Sequence, residues 1–112
     1  MRKSVTDILR ETDETLFSFE VLPPVKGKSI ELIYSTADRL LASNPAFIEV
    51  TTHRSDFSYR ELEPGRYVRI EDRLRPGTVS VSAALKQRYD IPVVPHIICS
   101  GYTQQETENE LI

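Results

Sequence analysis

Apolar positions recur along this chain with two periods, and the switches between them mark its elements. Residues 16–21 alternate, with Phe17 and Phe19 on one side of an extended segment and Ser18 and Glu20 on the other, which predicts a strand. Pro23-Pro24 stops it. After the Lys26-Gly27-Lys28 turn, Ser29 can cap a helix whose Ile30, Ile33, Ala37, Leu40 and Leu41 fall at helical spacing, up to the break at Asn44-Pro45. A second strand is predicted over 46–51 and a third over 91–98. Between them a helix opens at Thr78 and runs through Val81, Ala84, Leu85 and Tyr89.

The ends of the chain carry weaker signals. Val5, Ile8 and Leu9 give residues 4–11 some helical character, and Thr103 with Glu106 has the spacing of a capping box that opens a last helix. Residues 52–77 are polar and aromatic, with turn signals at Pro64-Gly65 and Pro76-Gly77, and are predicted as a long loop with room for one short element. Strand and helix alternating three times predicts an α/β fold with a parallel sheet.

Ligand sites in such folds lie beyond the carboxyl ends of the strands, where loops vary over a rigid sheet. Those ends supply Glu20, Thr51 and His96 here. Glu20 has the parity of Ser18, Thr51 that of Glu49, and His96 that of Val94 and Ile98, so all three can point to one side of a sheet or into one barrel. Glu49 would point inward in a barrel, where a carboxylate needs a partner; it is expected to be a satisfied core residue and is assigned no chemistry.

Other chemistries fit less well. His96, Cys99 and His53 are possible metal ligands, but residues three apart on a strand face opposite ways, so Cys99 is expected to be buried under the helices and no metal site is predicted. Gly27, Gly65, Gly77 and Gly101 are isolated, which leaves neither a dinucleotide fingerprint nor a phosphate loop.

Composition narrows the partners. A net charge of -3 argues against nucleic acid or an anionic membrane as the main partner. Arg54, Arg60, Arg66, Arg69, Arg73 and Arg75 do not form a basic face, because Asp56, Glu61, Glu63, Glu71 and Asp72 interleave with them; a solvated, salt-bridged loop is expected. A single cysteine rules out an internal disulfide, and no run is long enough to span a bilayer, so a cytoplasmic protein is expected.

Three segments, taken in order, resemble the N-terminal part of the 5,10-methylenetetrahydrofolate reductase family: Ser18-Phe19-Glu20-Val21-Leu22-Pro23-Pro24, Phe47-Ile48-Glu49-Val50-Thr51, and Pro95-His96-Ile97-Ile98-Cys99-Ser100-Gly101-Tyr102-Thr103. The resemblance implies a (β/α)8 TIM barrel, of which residues 1–112 would be the first three β/α units. It also implies FAD as cofactor, NADH or NADPH as electron donor, and reduction of 5,10-methylenetetrahydrofolate to 5-methyltetrahydrofolate in the one-carbon metabolism that feeds methionine biosynthesis.

By resemblance Glu20 is the general acid, Thr51, Thr52 and His96 contact the flavin, and the loop with Pro23 and Pro24 faces nicotinamide and folate. The family's aromatic pair after the glutamate is Val21-Leu22 here, its basic residue after the prolines is Val25, and its Tyr-Gly-Ala after the threonine is Thr52-His53-Arg54. A full barrel takes about 250 residues, so the isolated chain is expected to be inactive and to associate into homo-oligomers or with the missing portion through its open sheet. A small non-catalytic binding or regulatory module built from the first barrel strands is the alternative. A carboxylate-dependent hydrolase ranks last.

Overall fold

In a computed structural model of the chain, residues 3–52, 56–72, 75, 77–99 and 102–112 are described. His53, Arg54, Arg73, Pro76, Ser100 and Gly101, which figured in the expectations above, lie outside them. The elements run α1 (Val5–Glu11), β1 (Ser18–Val21), α2 (Glu31–Leu41), β2 (Phe47–Val50), β3 (Asp56–Glu63), β4 (Arg66–Asp72), α3 (Thr78–Arg88), β5 (Val93–Pro95) and α4 (Gln104–Leu111).

The three predicted strands form one parallel sheet in the order β1-β2-β5. Its alternation separates two faces. Val21, Ile48 and Val50 point to one face and meet Ile33 and Ala37 of α2, Val81 and Leu85 of α3, and Ile91; this is the hydrophobic core. The opposite face carries Ser18, Glu20, Phe47, Glu49 and Val94, none of them buried. The chain is therefore α/β with helices packed on one side of a three-stranded parallel sheet; no barrel is formed by these strands.

Helix starts follow the local chemistry. Ser4 Oγ accepts from the Asp7 amide while the Asp7 carboxylate accepts from the Ser4 amide, and Thr103 with Glu106 closes the predicted capping box in the same way. The Ser4 hydroxyl, donating to the exposed Asp7 carboxylate at 2.7 Å, and then the Ser4 amide hold that carboxyl below its usual pKa. The N-cap of α2 is Ile30 and not the expected Ser29, which lies one residue earlier and accepts from the Glu31 amide through its Oγ. Gly27, at φ 84°, makes the preceding turn, closed by the Lys28 amide on the Val25 carbonyl at 3.0 Å.

The expected long loop over 52–77 is corrected. Its centre is an antiparallel hairpin, β3 paired with β4 around Pro64-Gly65, with Gly65 at φ 76° and a register irregularity between Glu61 and Glu63. Phe57 and Tyr59 alternate with Ser58 and Arg60 on β3, and Val68 and Ile70 with Tyr67 and Arg69 on β4, a strand pattern hidden because aromatic and charged residues share one face. Of the expected charge pairs, Arg66 meets Glu63 at 3.2 Å, and the Arg69 guanidinium stacks over the Phe57 ring at 4.5 Å. The two strands pack chiefly on each other, and the molecule is elongated, with a radius of gyration of 17.7 Å. A compact domain of this length has about 13 Å.

Two smaller expectations also change. The third strand spans Val93–Pro95 rather than 91–98. The His96 amide still donates to the Val50 carbonyl at 2.8 Å, but the His96 carbonyl is taken by the hydroxyls of Thr52 at 2.7 Å and Thr78 at 2.6 Å, which ends the ladder. The backbone leaves the sheet there, so Cys99 is exposed and not buried beneath the helices.

Candidate active site at the carboxyl ends of the parallel strands

The register places the polar residues of the open face side by side. Glu20 on β1 is the partner of Glu49 on β2, and Glu49 is the partner of Val94 on β5, with His96 one pleat further on. Past the strand ends the ladder continues, with the Thr51 amide donating to the Val21 carbonyl at 2.9 Å. Glu20, Thr51 and His96 thus sit at the same end of three adjacent strands.

Side-chain hydrogen bonds at this end converge on Glu49. Ser18 Oγ donates to Glu49 Oε2 at 2.9 Å, and His96 Nε2 lies 3.3 Å from Glu49 Oε1. All three strands are joined through one carboxylate. Glu49 and His96 are each about one-third exposed, at 30% and 33%. This agrees with a satisfied Glu49 and goes beyond it, since the residue organises the neighbours on both sides. Parity marks Glu49 as facing away from the core, but its place between Ser18 and His96 comes from the strand order and register.

Glu20 stands differently. Its side chain is exposed, and with the described residues it forms no side-chain hydrogen bond or ion pair. Thr51 is half-buried. The Thr52 hydroxyl donates to the His96 carbonyl and thereby fixes the backbone of that histidine. Pro23 is fully buried, whereas Leu22 before it is exposed and Pro24 after it is half-buried. Sequence reasoning missed Arg75, whose guanidinium donates to the Pro23 carbonyl and ties the segment after the hairpin to the loop behind Glu20.

A cleft of about 340 Å³ is bordered by Pro24, Lys26, Lys28, Ile30, Ser80 and Val81. None of Glu20, Thr51 or His96 lines it, so it is distinct from the polar strand ends.

Residues 4–112 match the family described as methylenetetrahydrofolate reductase. The chain belongs to that family. Comparison with curated proteins and with solved structures finds no match. Membership in the methylenetetrahydrofolate reductase family makes oxidoreduction of a one-carbon folate the chemistry against which the open face is to be read. Among the described residues no helix is long and apolar enough to cross a membrane.

Proposed function

We propose that the chain forms the first three β/α units of a flavin-dependent barrel enzyme that reduces 5,10-methylenetetrahydrofolate to 5-methyltetrahydrofolate with NADH or NADPH. The observation that carries this is the family match over residues 4–112 on a chain whose open sheet face places Glu20, Thr51 and His96 at one end. An eight-stranded barrel buries that face toward its axis. Three strands cannot close, so the isolated chain is inactive in this reading and associates with the remaining units or with its own copies.

The residues present fit a flavin. Hydroxyls on Ser18 and Thr51, a carboxylate on Glu49 and an imidazole on His96 give donors and acceptors suited to a polar heterocycle, on a face free of the helices that cover the other side. Thr51, Thr52 and His96 would hold it, and when bound it supplies hydride. Glu20 would protonate the bridging nitrogen of the folate, opening its ring to an iminium that accepts the hydride. An acid for that step must reach its proton acceptor, and the exposure of Glu20 on the open face supports that role. Of the turn that would face nicotinamide and folate, the half-buried Pro24 is the part left accessible, Pro23 being buried beneath it and its carbonyl held by Arg75.

The test is visible flavin absorbance in two purified proteins, the 112-residue chain and a polypeptide continued through all eight β/α units. Flavin bound by the longer protein, with folate reduction, supports the reading. A longer protein with neither would favour a non-catalytic binding or regulatory module.

A further inference from the structure

We propose that Glu49 is a positioning residue that holds His96 in one tautomer, so that a ligand on the open face meets the imidazole through Nδ1. As a statement about the flavin site this rests on the function proposed above; as a statement about the ring it does not.

Both oxygens of Glu49 are engaged. Ser18 Oγ is 2.9 Å from Oε2 and His96 Nε2 is 3.3 Å from Oε1. An ionised carboxylate only accepts hydrogen bonds. Ser18 therefore donates, and in the neutral imidazole the proton resides on Nε2, leaving the lone pair on Nδ1. The ring then offers an acceptor, matched to an N–H or O–H of a ligand.

The backbone of His96 is fixed independently of its ring. Its amide is bound to Val50 and its carbonyl to the Thr52 and Thr78 hydroxyls. What remains free is rotation of the side chain and the position of one proton, and the bond to Glu49 removes both. Outer partners fix ligating histidines at metal sites by the same logic.

Side-chain length matters because both contacts are diagonal. Ser18 is paired in register with Phe47, and Val94 with Glu49, so Ser18 and His96 each lie offset along the sheet from Glu49. A glutamate spans both offsets. The arrangement is not that of an activated serine, because the Ser18 hydroxyl bonds the carboxylate and not the imidazole. Glu20, also on this face, lies beside Glu49 and makes no bond to Ser18 or His96, which in the proposed function leaves its carboxyl for the folate.

The test is multiple-bond 15N–1H NMR of the full 112-residue chain at alkaline pH, where imidazoles are neutral, with His53→Gln to assign the only other histidine. His96 should show a single Nε2–H form with widely separated nitrogen shifts. In Glu49→Gln the two shifts should move toward each other as the tautomers mix, and Glu49→Asp should not restore the separation. Ser18→Ala provides a second, milder variant, with amide dispersion as the control for folding, and should give a smaller shift in the same direction. In the flavin-loaded longer polypeptide Glu49→Gln should weaken flavin binding about tenfold. A dominant Nδ1–H form, or His96 shifts unchanged in folded Glu49 and Ser18 variants, would overturn the proposal. Absent flavin binding with the tautomer result intact would instead count against the functional reading.

Discussion

Glu20 on β1 and Glu49 on β2 are register partners on the same face of a parallel sheet, which sets two carboxylates beside each other. Like charges directly across a strand pair oppose folding. Glu49 is compensated by Ser18 and His96, whereas Glu20 has no such partner among the described residues. Replacing Glu20→Gln should therefore stabilise the chain by a few tenths to about 1 kcal/mol. Urea unfolding near neutral pH checks this. A lower midpoint would show that Glu20 contributes to the fold and is not held there at its expense.

The helix-covered face predicts a strong contrast between two leucines. Leu85 is fully buried against Ile48 and Val50, while Leu62 in the hairpin is 62% exposed. Leu85→Ala should cost about 2–4 kcal/mol through lost burial and the cavity left behind. Leu62→Ala should change stability by less than about 0.5 kcal/mol. Denaturation midpoints of the two variants give the comparison.

Cys99 lies where the chain has already left the sheet. In the folded chain it should react with a thiol reagent at nearly the rate of the denatured chain. Strong protection would mean that the third strand runs on to residue 98, as its apolar pattern suggests.

Gly65 turns the hairpin at positive φ, a conformation that costs a side-chain-bearing residue about 1–2 kcal/mol. Because β3 and β4 pack chiefly on each other, the effect of Gly65→Ala should stay local. Hydrogen exchange should speed up at the amides of 56–72 while the global unfolding midpoint holds. A matching fall in both would show that the hairpin and the sheet unfold as one unit.

Alkaline pH tests the contact between α2 and α3. The Tyr89 hydroxyl lies 2.6 Å from Asp38 Oδ1 and 3.0 Å from the Tyr34 carbonyl. Burial and then the Asp38 bond hold its pKa above the usual tyrosine value, partly offset by Arg88. A raised folded-state value favours the neutral form, so this stabilisation is full below the ordinary value of about 10 and is lost as pH rises through the folded one. Tyr89 should ionise above the ordinary tyrosine value in a tyrosinate absorbance titration, and Tyr89→Phe should remove that step.

How much of this was legible from the residues follows from what each signal depends on. The strands around Glu20 and Thr51 were readable because alternation there separates apolar from polar residues cleanly. The Thr103–Glu106 capping box was readable because it is local. The hairpin was not, because Arg and Glu occupy strand positions facing water on both sides, where burial leaves no trace in the pattern. The end of β5 was hidden for another reason: it is set by the hydroxyls of Thr52 and Thr78, which come from distant segments. Shared parity could place Glu20, Glu49 and His96 on one face, but the convergence of Ser18 and His96 on Glu49 depends on strand order and register. Those are properties of the assembled sheet.

The open face as the site of folate chemistry is tested most directly by Glu20→Gln in a polypeptide carrying all eight β/α units, with the two half-reactions followed separately. Nicotinamide should still deliver its electrons at close to the unsubstituted rate, while transfer to methylenetetrahydrofolate should fall by at least about a hundredfold, the range that a positioned acid supplies. Folate reduction at an undiminished rate in that variant would contradict the account.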